Sequence, residues 1–277
     1  MSSQTIHFTK MSAAGNDFII VDAVKNCNYV FLAKKMCDRS NGIGGDGLLI
    51  FDHSKITDYR MRIINADGSE AEMCGNGARC MAAYIREYKK PANNLFGMET
   101  IAGIIMADIG SIEVKVKLTR PKDYRPRVSL ELNSVKLSAD YIDTGVPHAV
   151  IFVSGIERID VATLGRSIRY HQEFKPRGTN VDFVEHLPNN MIAVRTYERG
   201  VESETKACGT GSVASAIISY LQLNPDVNNK KNASMKVQTA SGDILRITFD
   251  VVAGQPDNVW LKGPAKFVAE GAFFLPK

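Results

Sequence analysis

The sequence predicts a strand-rich α+β fold (mixed α/β) made of two similar halves, each with a sheet around a central helix. Three observations support this prediction. The chain has 277 residues, which suggests about two domains at roughly 150 residues per domain. Short β-branched runs dominate both halves, and helical patterns are few. A Cys-Gly-x-Gly motif occurs once in each half, at Cys74 and at Cys208.

The predicted strands are runs of alternating or continuous apolar and β-branched residues. In the first part of the chain they are residues 6–10, 18–21, 48–51, 60–64, 101–108 and 112–118. In the second part they are residues 128–132, 148–152, 181–184, 191–196, 235–238, 244–249, 258–261 and 266–269. Helices are predicted over residues 29–37, 161–169 and 211–221, and from just after Cys74 to about residue 88.

The segment PKDYRPR, residues 121–127, is charged and contains prolines, which indicates a linker between the halves. This places the N-terminal half at residues 1–122, completed by a C-terminal strand over 265–277. The C-terminal half then covers residues 123–264.

The two motifs occur in matched surroundings. Residues 73–77 read MCGNG and residues 207–211 read ACGTG. Each follows a predicted strand and an acidic turn, and each opens a helix rich in small residues. Small residues allow a helix to pack tightly inside a surrounding sheet. We therefore expect a duplicated domain, with one cysteine at the N-terminus of each central helix.

The composition argues against several classes of protein, including nucleic-acid-binding, secreted and membrane proteins. Hydrophobic residues make up 44% and charged residues 23%, as in ordinary globular proteins. The net charge is +4 with the basic residues dispersed, so a nucleic-acid surface is not expected. The N-terminus lacks the apolar core of a secretion signal, and no apolar stretch is long enough to span a membrane. The protein is expected to be soluble and cytoplasmic.

The number and spacing of the five cysteines indicate that they are present as reduced thiols. An odd number without a signal segment argues against a disulfide framework. There is no C-x2-C pair and no His at ligand spacing, which argues against a zinc site or a thiol-redox protein using Cys74 and Cys80. A binding module without catalysis stays open at this point.

Paired cysteines at helix N-termini suit the inversion of an α-carbon without a cofactor. One group must remove a weakly acidic proton from one face while another delivers a proton to the opposite face. Helix N-termini offer unpaired N–H groups that bind a carboxylate, and Gly75 and Gly209 permit close backbone approach. The same position is expected to lower a thiol's pKa towards neutrality.

The alternative is that both cysteines are small buried hydrophobes, the usual environment of a free cysteine. Their matched glycine-flanked helix starts favour catalysis instead. Cys27, Cys37 and Cys80 have no such setting, and Cys80 is expected to pack in the core.

The chain resembles the diaminopimelate epimerases along nearly its whole length. The matching segments are residues 14–22, 39–51, 64–80, 144–150, 177–185 and 196–211, in family order and with both cysteines. The resemblance implies two pseudo-symmetric domains, each a barrel-like, mostly antiparallel sheet around a central helix. It implies epimerisation of LL- to meso-diaminopimelate, for lysine and peptidoglycan precursor synthesis. It also implies a homodimer that uses neither pyridoxal phosphate nor metal.

By this resemblance, the α-carboxylate is held by backbone N–H groups of two pairs, Gly75-Asn76 and Gly209-Thr210. The other implied substrate contacts are Asn16, Asn65, Asn180, Glu198 and Arg199. His148 and Glu198 are implied to support catalysis. Several of these residues also have a purely structural alternative. Asn16 and Asn65 could be turn residues, and Glu198 and Arg199 could form a solvated surface pair. His148 could be a core or turn residue.

Two departures from the family bear on substrate choice. Val146 stands where the family commonly has Asn, and Gly47 stands where some members have Gln. One alternative is therefore a related racemase or epimerase of the same fold with relaxed substrate choice. A proline or hydroxyproline epimerase is another, but it has no evident need for Arg199 to bind a second carboxylate.

Overall fold

Strands dominate the protein, as the alternating patterns predict. The structure is a computed structural model that describes residues 5–110, 113–132 and 135–275. The strands before residue 118 are β1 (Thr5–Ala13), β2 (Asn16–Asp22), β3 (Gly47–His53), β4 (Tyr59–Asn65), β5 (Glu70–Ala71), β6 (Leu95–Thr100), β7 (Gly103–Asp108) and β8 (Val114–Lys117). They are followed by β9 (Lys122–Leu132), β10 (Val135–Asp143), β11 (Pro147–Phe152), β12 (Asn180–Leu187), β13 (Met191–Glu198), β14 (Ser203–Thr205), β15 (Lys230–Thr239), β16 (Ile244–Val252), β17 (Gln255–Gly263) and β18 (Lys266–Phe274).

The chain divides into two compact units. One comprises Met1–Val116 and Gly263–Lys277, and the other comprises Lys117–Lys262. The predicted linker over residues 121–127 is wrong, because nearly all of it lies in β9, which pairs with β10. Its charged side chains occupy a strand whose side chains are mostly exposed. The assignment of residues 1–122 with 265–277, and of 123–264, to two epimerase halves stays a prediction.

Both units repeat one strand pattern. In the first, the hydrogen-bonded order is β18-β1-β2-β3-β4-β6-β7-β8, with β5 beside β4. In the second, it is β9-β10-β11-β12-β13-β15-β16-β17, with β14 beside β13. The parallel pairs β2–β3 and β4–β6 correspond to β11–β12 and β13–β15, and the other pairs are antiparallel. The strand connectivity therefore confirms the duplication.

Helices connect the parallel pairs at equivalent positions. They are α1 (Tyr29–Met36), α2 (Gly75–Tyr84), α3 (Val161–Arg169) and α4 (Gly209–Leu223). Helix α1 joins β2 to β3 as α3 joins β11 to β12, while α2 and α4 lead into β6 and β15. A π-helical turn, Ile85–Lys89, continues α2. Such crossovers are the usual connection between parallel strands.

Helices α2 and α4 are the central helices of the two units. All ten residues of α2 are buried, and α4 is buried from Gly211 to Ser219. A helix buried on every side lies in the protein interior. Helix α2 contacts β1, β2, β3, β4 and β7, and α4 contacts β10, β11, β12, β13, β15 and β16. Each sheet therefore surrounds its helix. The motif cysteine of each unit, Cys74 or Cys208, lies at the N-terminus of that helix.

Some strand predictions were incomplete. Strands β6 and β10 were not predicted, and residues 101–102 form the turn between β6 and β7 instead of part of a strand. Strand β6 contains Gly97, which packs against Thr57 and interrupts the apolar pattern. Residue 112 of the predicted strand 112–118, and residues 1–4 and 276–277, lie outside the described residues. In the described part of the chain, no helix is long and apolar enough to cross a bilayer.

Candidate active site

Both motif cysteines are N-cap residues, as the sequence predicts. Cys74 (φ −141°, ψ 119°) precedes α2, and its Sγ accepts a hydrogen bond from the Gly77 amide at 3.5 Å. Cys208 (φ −115°, ψ 115°) precedes α4, and its Sγ lies 3.3 Å from the Thr210 hydroxyl. The first amides of a helix have no intrahelical acceptor and carry partial positive charge. Each unit thus presents a thiol beside an anion-binding helix end.

In the first unit, a chain of hydrogen bonds fixes two amide side chains. Arg79 Nη2 donates to Asn76 Oδ1 (2.9 Å), Asn76 Nδ2 donates to Asn16 Oδ1 (2.7 Å), and Asn16 Nδ2 donates to Asp46 Oδ2 (2.9 Å). Because an arginine only donates and a carboxylate only accepts, the two ends determine the orientation of both amides. Each asparagine retains one further N–H for another acceptor.

Charged residues fix Asp46, the last member of this series of hydrogen bonds. Arg39 donates to Oδ1 of both Asp17 and Asp46 at 2.7 Å, and Lys10 pairs with Asp17. Burial raises the pKa of Asp17, but the hydrogen bonds from Arg39 and Lys10 outweigh it and lower the value to about 2. Asp17 is therefore ionised at neutral pH. It binds Arg39, and Arg39 in turn orients Asp46.

In the second unit, buried polar groups lead to Cys208. His148 Nδ1 lies 2.7 Å from Asp182 Oδ2, and His148 Nε2 lies 3.0 Å from Thr210 Oγ1. Thr196 donates to Asp182 Oδ1 at 2.7 Å. The side chains of His148 and Asp182 are completely buried. His148 is therefore not a turn residue, and it connects β11 and β12 to the first turn of α4.

Gly211 permits this close packing. A Cβ at this position would lie 2.3 Å from Asp182 Oδ1, so only glycine allows the carboxylate to approach the start of α4. The equivalent residue of the first unit, Gly77, would place a Cβ 3.2 Å from a Leu49 methyl group. The second glycine of each motif thus serves packing against its own sheet.

The environment of Cys208 differs from the sequence expectation. Burial raises its pKa well above the usual range, and the negative charges of Glu198 and Asp182 raise it further. The expectation that the helix N-terminus lowers this pKa towards neutrality is therefore wrong for Cys208. Burial likewise raises the pKa of Glu198. Cys80 is fully buried, as predicted, and its pKa rises to about 12 for the same reason.

Arg199 lies near two other arginines, Arg177 and Arg169, and near Asp143. Its backbone N–H donates to Asn180 Oδ1 (2.8 Å), and its Nη1 donates to the Arg177 carbonyl oxygen (3.3 Å). Burial lowers the pKa of Arg199, and the nearby charges of Arg177 and Arg169 lower it further. Glu198 and Arg199 are both half-buried instead of exposed, so the alternative of a solvated surface pair is wrong. Arg177 and Arg169 pair with Asp143 (3.8 Å) and Glu202 (3.2 Å), whereas Arg199 has no carboxylate ion-pair partner among the described residues.

Comparison with known proteins identifies the family. A sequence model described as Diaminopimelate epimerase matches residues 8–122 and 141–268. The chain belongs to the diaminopimelate epimerase family. It is 39% identical to a diaminopimelate epimerase of Aquifex aeolicus, covering 96% of this chain and 97% of the relative. It is 40% identical to one of Hydrogenobaculum sp., covering 95% and 96%.

Solved structures share the fold of this diaminopimelate epimerase family member. A Bacillus anthracis phenazine biosynthesis protein of the PhzF family superposes with a TM-score of 0.76 at 18% identity, covering 98% of this chain and all of the other. A hydroxyproline epimerase from Agrobacterium vitis gives a TM-score of 0.72 at 14% identity, covering 98% and 93%. At these identities the likeness concerns the fold alone.

Gly47 and Val146, the two positions singled out for substrate choice, have distinct structural settings. Gly47 pairs with Asn65 across β3 and β4, and a Cβ there would lie 3.1 Å from the Ile64 carbonyl oxygen. The Asn65 side chain donates to Ser69 Oγ at 3.0 Å, and its backbone N–H donates to the Ser69 carbonyl oxygen at 2.8 Å, so Asn65 takes part in this turn. Val146 is half-buried and directly precedes Pro147, whose carbonyl accepts from Asn180 Nδ2 at 3.0 Å.

Sequence reasoning missed several residues of these networks. Asp46, Arg79 and Asp182 were not singled out, although all three lie in segments that match the family. A charged residue within a buried helix or strand needs polar partners, and that signal was available for Arg79 and Asp182. Among the described residues, no cluster of His, Cys, Asp or Glu is arranged to hold a metal ion.

Proposed function

We propose that the chain epimerises LL-diaminopimelate to meso-diaminopimelate with Cys74 and Cys208 as its two acid/base groups. One cysteine, as thiolate, removes the α-proton from one face, and the other, as thiol, donates a proton to the opposite face. The observation that carries this proposal is that both cysteines cap topologically equivalent helices of a duplicated fold. Membership of the diaminopimelate epimerase family supports the substrate.

The first-turn amides of the two helices are proposed to bind the α-carboxylate. These are the backbone N–H groups of Gly75, Asn76, Gly209 and Thr210. As the α-proton leaves, negative charge moves onto the carboxylate oxygens. The oriented N–H groups therefore stabilise the transition state more strongly than they stabilise the bound substrate. Helix N-termini are suited to this task because their amides already point towards an anion.

The asparagine pair of the first unit supplies further oriented donors. Arg79 and Asp46 hold Asn76 and Asn16 in one arrangement, so the remaining N–H of each is positioned before substrate binds. Such preorganisation supports the proposal that Asn16 contacts substrate. In the second unit, Glu198 combines a raised pKa with proximity to Cys208, which suits a group that supports proton transfer.

Arg199 is proposed to bind the distal carboxylate of diaminopimelate, assisted by Asn65 and Asn180. Arg169 and Arg177 have carboxylate partners, and Arg199 has none among the described residues, so Arg199 can bind a further carboxylate. Guanidinium groups bind carboxylates through two parallel hydrogen bonds. Asn180 is nearly fully buried and bridges Pro147 to the backbone of Arg199, so it holds the arginine segment in place.

A second candidate is a related amino-acid epimerase with relaxed substrate choice. The observation in its favour is that Val146 and Gly47 carry no amide side chain, where the sequence resemblance leads us to expect one in many or some family members. The turnover of diaminopimelate relative to amino acids without a distal carboxylate separates the two candidates.

The proposal also covers the location, the oligomeric state and the cofactors of the enzyme. We propose that it acts in the cytoplasm as a homodimer, without pyridoxal phosphate or metal. Homodimers are the commonest closed assembly of soluble proteins. The exposed apolar side chains of Phe267, Val268 and Phe274 on β18 support an assembly that covers this strand.

Single substitutions test the two-thiol proposal. Cys74→Ala and Cys208→Ala should each abolish epimerisation, because each removes the proton carrier for one face, while the circular dichroism spectrum stays unchanged. Cys27→Ala is the matched control, since Cys27 lies outside both networks, and it should keep wild-type kcat. If either motif variant kept most of its kcat, the assignment of two acid/base cysteines would be wrong.

A further inference from the structure

We propose that Asp143 binds the distal ammonium group of diaminopimelate, beside Arg199, which binds the distal carboxylate. This inference rests on the proposed function, because it adds a second charged contact to the same end of that substrate. The distal carbon of diaminopimelate carries an ammonium group and a carboxylate together. Arg199 supplies a cation for the carboxylate, and Asp143 supplies the anion that the ammonium group requires.

The turn after Asp143 is hydrogen-bonded to the start of α4. Asp143 is the last residue of β10, and residues 144–146 lead into β11. The Thr144 hydroxyl donates to the Thr210 carbonyl oxygen at 3.1 Å. Thr210 belongs to the first turn of α4, whose amides are proposed to bind the α-carboxylate. A hydrogen bond therefore connects this turn to the α-carboxylate site.

The same turn is connected to Arg199 on its other side. The Pro147 carbonyl oxygen accepts from Asn180 Nδ2 at 3.0 Å, and Asn180 Oδ1 accepts from the Arg199 backbone N–H at 2.8 Å. Burial lowers the pKa of Arg199, whereas the negative charge of Asp143 acts in the opposite direction. The two side chains are not an ion pair, since Arg199 has no carboxylate partner among the described residues. Asp143 and Arg199 are therefore neighbouring opposite charges, as the two groups on one substrate carbon require.

The carboxylate of Asp143 is buried and only partly compensated. The residue is 2% exposed, and its Oδ1 accepts from the Gly145 backbone N–H at 2.9 Å. Its Oδ2 lies 3.8 Å from Arg177 Nη1, beyond hydrogen-bond distance, and no other side chain of the described residues donates to it. Arg177 is 62% exposed, so this ion pair contributes little. A buried carboxylate oxygen without a close donor favours binding of a cation.

The sequence of this turn agrees with an altered distal contact. Val146 carries no amide, where the family resemblance leads us to expect Asn in many members. An amide would offer a hydrogen-bond acceptor to an ammonium group. A carboxylate is a stronger acceptor, because hydrogen bonds between ionised groups are stronger than those between neutral groups. Asp143 therefore supplies, three residues earlier, the acceptor that Val146 lacks.

Three substrates separate the two distal groups. Diaminopimelate carries both, 2-aminopimelate lacks the distal ammonium group, and lysine lacks the distal carboxylate. Turnover is followed as deuterium uptake at the α-carbon from D2O by mass spectrometry. In the wild type, kcat/KM for 2-aminopimelate should be at least about tenfold below that for diaminopimelate, because a charge-assisted hydrogen bond is lost. Equal values would show that no group binds the distal ammonium, and they would overturn the proposal.

Asp143→Asn tests the residue itself. The new amide oxygen accepts from the Gly145 N–H, so the NH2 group replaces Oδ2 and faces the substrate ammonium as a second donor. We expect kcat/KM to fall at least about tenfold for diaminopimelate and for lysine, and less than about threefold for 2-aminopimelate. Equal losses for diaminopimelate and 2-aminopimelate would mean that Asp143 only supports Arg199 or the fold. That result, or an unchanged kcat/KM for diaminopimelate, contradicts the proposal.

Asp257→Asn is the matched control in the same unit. Asp257 Oδ1 also accepts from a following backbone N–H, that of Asn258 at 2.7 Å, and Asp257 lies 3.9 Å from Arg120. Its side chain is 41% exposed, in contrast to that of Asp143. All three substrates should keep kcat/KM within about twofold in this variant, because surface substitutions change energies little.

The two levels of inference fail separately. If the wild type does not epimerise diaminopimelate, the proposed function is refuted, and the role of Asp143 with it. Turnover of diaminopimelate combined with equal losses for both dicarboxylate substrates in Asp143→Asn would refute the role of Asp143 alone. If Asp143→Asn did not fold, Asp143→Ser would provide the same comparison, because a serine oxygen can still accept from the Gly145 N–H.

Discussion

Arg199→Met tests the substrate assignment through the distal carboxylate. Removing a charged partner from a desolvated ion pair costs about 2–5 kcal/mol. Arg199 is only half-buried, so the lower part of this range applies. A loss of about 2–3 kcal/mol corresponds to a fall in kcat/KM of about 30- to 150-fold for diaminopimelate. The backbone hydrogen bond from Arg199 to Asn180 is unaffected, so the fold should persist.

Lysine provides the reference substrate because it lacks the distal carboxylate. Its slow α-proton exchange can be followed as deuterium uptake from D2O by mass spectrometry, in the wild type and in the variant. We expect kcat/KM for lysine to change less than about threefold, since the lost interaction is specific to the second carboxylate. Arg120→Met is the matched control, because Arg120 is 65% exposed and lies 3.9 Å from Asp257 in the same unit. An unchanged diaminopimelate-to-lysine ratio in Arg199→Met would refute the proposed role of Arg199.

Two further substitutions test the packing at the helix start and the distal pocket. Gly211→Ala should lower kcat and destabilise the protein by about 1–3 kcal/mol in urea unfolding, because its Cβ displaces the Asp182 carboxylate. The equivalent Gly77→Ala meets only a Leu49 methyl at 3.2 Å and should cost clearly less; equal costs would contradict this reasoning. Val146→Asn should lower KM for diaminopimelate about two- to tenfold by adding one hydrogen bond. An unchanged or higher KM would show that this position does not face the distal end of the substrate.

Local patterns predicted the framework of the protein. Each Cys-Gly-x-Gly motif directly precedes a run of small and apolar residues, and this placed both helix starts within a few positions. The duplication was visible for the same reason, since the motif and its helix recur together. Strand β10 was missed, and Lys122–Leu132 was taken in part for a linker, because each is stabilised mainly by pairing with the other.

The polar networks depend on contacts that a linear sequence does not reveal. Asp46 meets Asn16 across 30 positions of sequence, and Asp182 meets His148 across 34. The rise in the pKa of Cys208 follows from burial and from two carboxylates on neighbouring strands. A helix-start argument includes none of these effects, so it gave the wrong direction. Charged residues inside apolar segments were the available signal.

Isotope labelling in D2O tests the central claim, that two thiols act on opposite faces of one carbon. LL-diaminopimelate is incubated with the enzyme, and the substrate and meso product are separated at early conversion. If Cys74 and Cys208 each serve one face, every meso molecule carries one deuterium at the inverted carbon, because the donating thiol has exchanged with solvent. The recovered LL substrate should stay unlabelled, because the base returns the proton that it removed. A meso product that retains the original α-proton, or substrate labelled as fast as product, would contradict the two-thiol account.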